Sequence, residues 1–179
     1  GDLVGARGGA FPAAVVRAQA ARGAPLVVVA EDADRAREIA NDLDFHAHAA
    51  GAAGGGVLLF PGYELGPYDA LIPDRRTSMR RAAVLFRLAL KERWRFLVVS
   101  ADALVRRVAP RDRFEAACLP IARGDSVDRD SLGEVLERGG YARSPLVEEP
   151  GTFAFRGAVV DLFPPYLDRP VRLPQIRIR

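Results

Sequence analysis

Residues 12–44, PAAVVRAQAARGAPLVVVAEDADRAREIANDLD, hold the alternation that decides the fold class. Pro12 to Arg22 reads as a helix: proline is tolerated in a first turn, where its missing N–H has no intrahelical partner, and Gly23 supplies a stop. Leu26-Val27-Val28-Val29-Ala30 contains no polar residue, the pattern of a strand buried in a parallel sheet. Asp32 stands where a helix N-cap is needed, ahead of a segment running to about Asp44 that keeps Ala36, Ile39, Ala40 and Leu43 on one face. Helix, apolar strand and helix in quick succession predict an α/β architecture with parallel strands.

The alternation continues outward. The Gly/Ala-rich stretch 49–56 reads as a loop, and Val57 to Phe60 as a strand. The segment from Pro61 to Asp69 is too rich in Pro and Gly for a regular element and too aromatic for a plain linker, which points to a loop with a specific job. Thr77 or Ser78 opens a helix whose Ala82, Leu85, Phe86 and Ala89 lie opposite Arg80, Arg81 and Arg87. Strand Phe96 to Ser100 and helix Ala101 to Val108 follow, and 109–113 reads as a boundary. This gives an α/β domain over 1–115 and a small α+β domain over 116–179. The second contains a strand at Ala117 to Ala122, a helix from Arg129 to Arg138 capped by Asp128 and ended by Gly139-Gly140, and strands at Phe153–Phe155, Ala158–Phe163 and Val171–Leu173. A module of that size is near the lower limit for independent stability.

Composition narrows the function classes. The chain has 179 residues, with 26 Lys plus Arg against 23 Asp plus Glu and a net charge of +3. With 49% hydrophobic and 27% charged residues it is a folded chain and not a disordered one. No apolar run approaches the roughly 20 residues of a membrane-spanning helix, and Gly1-Asp2-Leu3-Val4 does not resemble a secretory signal, so a cytoplasmic location is expected. Cys118 is the sole cysteine, which excludes an internal disulfide and a Cys-based zinc cluster. It reads as a small buried hydrophobe. His46 and His48 lack further soft ligands, and no metal is expected. The positive charge is almost all arginine, Lys91 being the single lysine. A charge of +3 is too small by itself to indicate a nucleic-acid binder.

Gly5-Ala6-Arg7-Gly8-Gly9-Ala10-Phe11-Pro12 lies ahead of the first helix, where a phosphate-binding loop of the form G-x-x-x-x-G-K-[ST] would sit. Such a loop needs a second glycine for close backbone approach, a lysine for the terminal phosphates and a hydroxyl for magnesium. Counted from Gly5, those places hold Ala10, Phe11 and Pro12. Phe11 cannot neutralise phosphate and Pro12 offers neither hydroxyl nor N–H. No ATP binding is expected here. Arg75, Arg76, Arg80, Arg81 and Arg87, with Arg93 and Arg95 beyond, could contact nucleic-acid phosphates, but no ladder of exposed aromatics accompanies them. A solvated helix face is the plainer explanation. Glu148-Glu149 and the Asp128/Asp130 pair read as turn and cap residues. No Ser/His/Asp set can be assembled, and nothing identifies a catalytic apparatus.

The most informative stretch runs from Tyr141 to Pro164, YARSPLVEEPGTFAFRGAVVDLFP. It resembles the signature Y-x-R-x-x-x-V-E-x-x-G-x-F-x-x-R-G-x-x-x-D-[IL]-F-P of the module shared by the nucleotide excision repair helicase UvrB and the bacterial transcription-repair coupling factors. A second segment agrees: Phe60-Pro61-x-Tyr63-Glu64-x-x-Pro67-Tyr68-Asp69, then Pro73, Arg81, Leu85 and Phe86, is similar to the coupling factors' F-P-x-W-E-x-x-P-Y-D stretch, with Tyr63 in the Trp place. The UvrB helicase keeps an intact nucleotide loop and inserts a long aromatic hairpin after its Y-D pair. Here the Lys and Thr are gone and only Ala70-Leu71-Ile72 separates Asp69 from Pro73, which favours the coupling factors.

The resemblance implies a degenerate RecA-like domain that does not hydrolyse ATP, followed by a small domain that docks on the excinuclease component UvrA. It assigns the docking contacts to Arg156, to Arg172 and, in the place of a strand aromatic, to Ile176. Arginine suits that role because its rigid fork binds carboxylates bidentately. Cofactors would be absent from this part, with ATP and magnesium confined to a distant motor, and RNA polymerase and DNA would be engaged elsewhere in a longer protein. Two other readings compete: a fragment of a UvrB-like helicase whose altered loop still takes nucleotide, and a basic nucleic-acid-binding domain.

Overall fold

The computed structural model describes residues 5–6, 8–51, 56–63, 74–116, 121, 125–157, 159–167, 169–173 and 177–178. In chain order the elements are α1 (Ala10–Arg22), β1 (Leu26–Ala30), α2 (Ala33–Ala49), β2 (Val57–Phe60), α3 (Arg75–Ala89), β3 (Phe96–Ser100), α4 (Ala101–Val105), α5 (Arg111–Ala116), β4 (Ser126–Val127), α6 (Arg129–Arg138), β5 (Ala142–Arg143), β6 (Thr152–Arg156), β7 (Val159–Leu162), β8 (Val171–Leu173) and β9 (Arg177–Ile178). The chain divides into two compact units, Gly1–Leu71 with Lys91–Val108, and Ile72–Leu90 with Ala109–Arg179. No helix among the described residues is long and apolar enough to cross a membrane.

The first unit is built on a parallel sheet of order β1-β3-β2, in which Val98 is in register with Val28 on one side and Leu59 on the other. Parallel strands need crossover connections, and α2 carries the chain from β1 to β2, which lie on opposite sides of β3. Its N-cap is Asp32, whose carboxylate accepts the Arg35 N–H at 2.7 Å. Val28, Ala30, Phe96 and Val98 form one core with Val15 and Val16 of α1 and Ala36, Ile39, Ala40, Leu43 and Ala47 of α2. Gly23 closes α1 in the left-handed region, at φ 67°, which glycine enters without a Cβ penalty.

Several expectations for this unit are corrected. β1 is not buried on both faces: Val28 and Ala30 face the helices, whereas Val27 and Val29 remain 55% and 52% exposed. An edge strand covered by helices on one side only alternates in burial whatever its composition. Helix α2 runs on to Ala49, past the stop expected at Asp44, because Ala47 extends its buried stripe by another turn. Helix α4 ends at Val105, three residues short of the expected Val108, where Arg106 adopts extended backbone.

The second unit has a four-stranded sheet of order β5-β6-β7-β8, parallel between β5 and β6 and antiparallel thereafter. Strands β4 and β9 pair in parallel as a separate ladder. Leu132, Phe153, Val160 and Leu162 form the core, joined by Leu136, Tyr141, Phe155, Val171 and Leu173. Helix α6 starts where expected, with the Asp128 carboxylate accepting the Ser131 N–H at 2.8 Å. That bond to the charged form holds the Asp128 carboxyl below the ordinary range.

Helix α3 belongs to this second unit, a division that differs from a single cut after residue 115. The reason is local and physical. The Arg75 guanidinium donates to the backbone carbonyls of Gly140 and Gly151, and a Cβ on either glycine would press on the Met79 side chain. The helix opens at Arg75 and not at Thr77 or Ser78, because Asp74 is the cap and accepts the Thr77 N–H at 2.9 Å. The segment 109–113, expected as a plain boundary, contributes to α5, and Arg111 donates to the Ala89 carbonyl at 2.9 Å. The strand expected at 117–122 lies outside the described residues except for Ile121, which packs on the core.

Candidate functional site

The β6–β7 hairpin sorts its side chains by strand alternation. Phe153, Phe155, Val160, Leu162, Val171 and Leu173 share the face that packs on α6. Ala154, Arg156, Val159, Asp161 and Arg172 share the other, since Ala154 pairs with Asp161, Arg156 with Val159, and Asp161 with Arg172. Gly157, at φ 61°, makes the tight return between the strands possible.

Both arginines expected to meet a partner lie on this second face, and both turn to one carboxylate. Arg172 donates through Nε to Asp161 Oδ1 at 2.6 Å and through Nη2 to Oδ2 at 2.9 Å. Arg156 Nε lies 3.6 Å from Asp161 Oδ2, and its Nη2 donates to the Pro145 carbonyl at 2.8 Å. The Arg156 and Arg172 side chains are 53% and 61% exposed, while that of Asp161 is only 13% exposed. The hydrogen bonds from Arg172 hold the Asp161 carboxyl below its ordinary value, with the charges of Arg172 and Arg156 adding to the effect against partial desolvation. The same pair raises the Arg172 guanidinium further. Asp161 is the residue that sequence reasoning passed over as a member of a motif; its spacing from Arg156 across a hairpin return was the available signal. Ile176 lies outside the described residues.

Gly151 anchors the base of the same unit. It sits at φ 77°, its N–H donates to the Phe163 carbonyl at 2.6 Å, and its carbonyl accepts from the Ala142 N–H at 2.9 Å as well as from Arg75. A side chain here would be strained by the backbone and would meet Met79 Cγ at 2.9 Å.

The altered loop of the first unit has a different fate. Gly5 and Gly8 have positive φ, and α1 begins at Ala10 with Gly9 as an N-cap that offers no side-chain oxygen. Phe11 packs against the apolar core, and Pro12 is fully buried. The two positions that would carry cation and hydroxyl are therefore used for packing, and these residues do not fit a nucleotide's phosphates and magnesium.

The arginine-rich segment does not form one continuous exposed face. Arg81, expected on the polar side of its helix, is 5% exposed. Arg75 is committed to two backbone carbonyls, and Arg95 donates to Gln19 Oε1 at 3.0 and 2.8 Å. Arg76 lies 3.7 Å from Glu149. His46 and His48 fall in the last turns of α2, two residues apart, a helical spacing that directs their rings to opposite sides. Among the described residues no group of three or more His, Cys, Asp or Glu could hold a metal ion.

A hollow of about 320 Å³ in the second unit is lined by Met79, Phe86, Leu136, Tyr141, Pro164 and Tyr166 among others. Among the described residues its lining offers no carboxylate, imidazole or thiol. Burial, and secondarily the charge of Tyr166, push the Tyr141 phenol up to about 12, so it stays protonated near neutrality.

Residues 119–176 match the family described as UvrB interaction domain. Over 170 residues, 94% of the chain, it is 41% identical to the transcription-repair-coupling factor of Myxococcus xanthus. It is 31% identical to that of Escherichia coli K12 over 172 residues, 96% of the chain, and 35% identical to that of Haemophilus influenzae Rd over 117 residues, 65% of the chain. The matched region is 14% of the length of the first two relatives and 10% of the third.

Proposed function

Since the chain belongs to the transcription-repair coupling factor family, we propose that it is the non-catalytic amino-terminal module of such a factor and recruits the excinuclease component UvrA to stalled transcription complexes. Membership places it in DNA repair. The observation that carries the recruitment reading is the gathering of Arg156 and Arg172 on Asp161, on the open face of a sheet inside the matched segment. Exposed arginines seated on a rigid strand pair are typical interface anchors, because they combine bidentate hydrogen bonding with little disorder to lose. The mechanism is recognition without chemistry. The first unit is read as a degenerate RecA-like domain: its strands are parallel and a glycine-rich turn precedes α1, but Phe11 and Pro12 have replaced the groups that handle phosphate. RNA polymerase, DNA, ATP and magnesium would be engaged by other parts of the longer protein.

Calorimetric titration of purified UvrA into the chain at physiological salt tests this. The wild type binds, and the Arg156→Ala, Arg172→Ala double variant loses most of that affinity while its far-UV circular dichroism is unchanged. A folded wild-type chain that does not bind UvrA would end the recruitment reading.

A further inference from the structure

The two exposed arginines share a counter-ion that is itself nearly covered. Asp161 stands in direct cross-strand register with Arg172 and takes its guanidinium side-on, through Nε at 2.6 Å and Nη2 at 2.9 Å. The same carboxylate reaches Arg156 Nε at 3.6 Å, and the Pro145 carbonyl fixes Arg156 Nη2 at 2.8 Å. In both arginines these contacts occupy the inner edge of the fork. Among the described residues, the contacts leave the Nη1 ends for an outside acceptor. Opposite Asp161 on the same face is Ala154, too short to reach between the charged groups.

We infer that Asp161 is a positioning residue: it fixes the Arg172 guanidinium side-on and holds that of Arg156 beside it by charge before the partner arrives, so that together they receive an acidic group of that partner. This rests on the recruitment reading above. Arginine has a long, rotamer-rich side chain, and holding it in its docking pose during folding removes an ordering cost from association. The charge balance points to the partner chemistry. Two guanidiniums and one carboxylate leave a single net positive charge, which suits one carboxylate on a protein surface better than a run of phosphates. The sign of one substitution separates this from simple charge attraction. Removing the negative charge of Asp161 should strengthen an acidic partner's binding if Coulomb attraction alone matters, and weaken it if positioning matters.

The experiment has two arms. In the first, UvrA is titrated into wild type, Asp161→Asn, Arg172→Lys, Arg172→Ala and the Asp161→Asn, Arg172→Ala double variant. Asp161→Asn is expected to weaken binding about tenfold. Arg172→Lys, which keeps the charge but cannot form the side-on pair, should lose as much as Arg172→Ala. Asp161→Asn should add little on top of Arg172→Ala, as expected for residues acting through one another. In the second arm, the arginine Nε–H signals are followed by NMR without partner: that of Arg172 should be ordered and protected from exchange in the wild type and mobile in Asp161→Asn. Unchanged or tighter binding by Asp161→Asn overturns the proposal, as does wild-type affinity of Arg172→Lys, or a mobile Arg172 Nε–H in the wild type. Should Asp161→Asn fail to fold, the exposed Arg172→Lys decides. Should the wild type fail to bind UvrA, the recruitment reading falls and the NMR arm alone decides whether Asp161 orders the arginines.

Discussion

The sheets of the two units make opposite uses of a polar opportunity. At the loop before α1, where a backbone and a cation could have met a phosphate, Phe11 joins the core and Pro12 is buried. On the outer face of the β6–β7–β8 sheet, charges survive in an ordered set, with Asp161 nearly covered and Arg156 and Arg172 exposed around it. The first arrangement gives up ligand chemistry for packing. The second keeps apolar packing and an ordered set of charges on separate faces of the same strands. A sheet of alternating residues can do this because each face is written independently into the sequence, whereas the first turn of a helix has only a few positions to share between capping, packing and ligand.

The comparison can be broken first at the cores beneath the two sites. Phe153→Ala empties a fully buried position that meets Phe155 edge-on, and Phe96→Ala does the same at the centre of the parallel sheet. Each should destabilise by about 3–5 kcal/mol, read as a shift of the urea transition followed by circular dichroism. Phe153→Ala should also lower UvrA binding where the fold is lost. Retained binding by an unfolded second unit would deny that the face depends on its core.

Next in size is the face itself. Arg172→Ala should lower UvrA affinity by about 1–3 kcal/mol with a smaller loss of stability from the broken Asp161 pair, measured by parallel titration and unfolding. A comparable loss of stability would mean that Arg172 serves the fold and not the partner. Gly151→Ala should destabilise by about 1–2 kcal/mol, since a positive φ is imposed on an L-residue and Met79 must give way. A melting curve superimposable on the wild type would show that the anchor of the sheet is more plastic than its hydrogen bonds indicate.

Acid sharpens the same contrast. The Asp161 carboxyl lies below its ordinary value in the native state. Its pairing therefore stabilises the fold above the unfolded carboxylate pKa of about 3.9, and that contribution disappears as pH falls through the lower native value. The stability difference between wild type and Asp161→Asn should shrink on acidification below about pH 4, measured by urea unfolding at a series of pH values. A constant difference would remove the ion pair from the ledger. The smallest effect is expected at the altered loop: millimolar ATP with magnesium should leave the melting temperature unchanged, because a ligand that does not bind the native state cannot stabilise it. A saturable upward shift would revive the helicase-fragment alternative.

The sequence alone determined what depends on near neighbours. Asp32 and Asp128 are the caps they were expected to be, Gly23 ends α1 in the left-handed region, and β6, β7 and β8 fall on the stretches read as strands. The signature from Tyr141 to Pro164 identified the family because a long motif fixes many residue types at once, and the missing lysine and hydroxyl of the loop could be counted directly. Tertiary structure decided the rest. Whether β1 is buried on one face or two depends on which helices cover an edge strand, and Val27 and Val29 turned out exposed. Arg81, expected on the polar side of α3, lies buried with Met79, Ala83 and Val84, while the expected stripe of Ala82, Leu85, Phe86 and Ala89 is only partly buried, since tertiary contacts and not the helical period alone decide which sides of a helix are covered. The tie of α3 to the second unit is made by Arg75 reaching carbonyls 65 and 76 residues away, contacts that no local pattern encodes. Asp161 is the same case at shorter range: composition makes it one acid among 23 Asp and Glu, and only strand register sets it opposite Arg172 and beside Arg156.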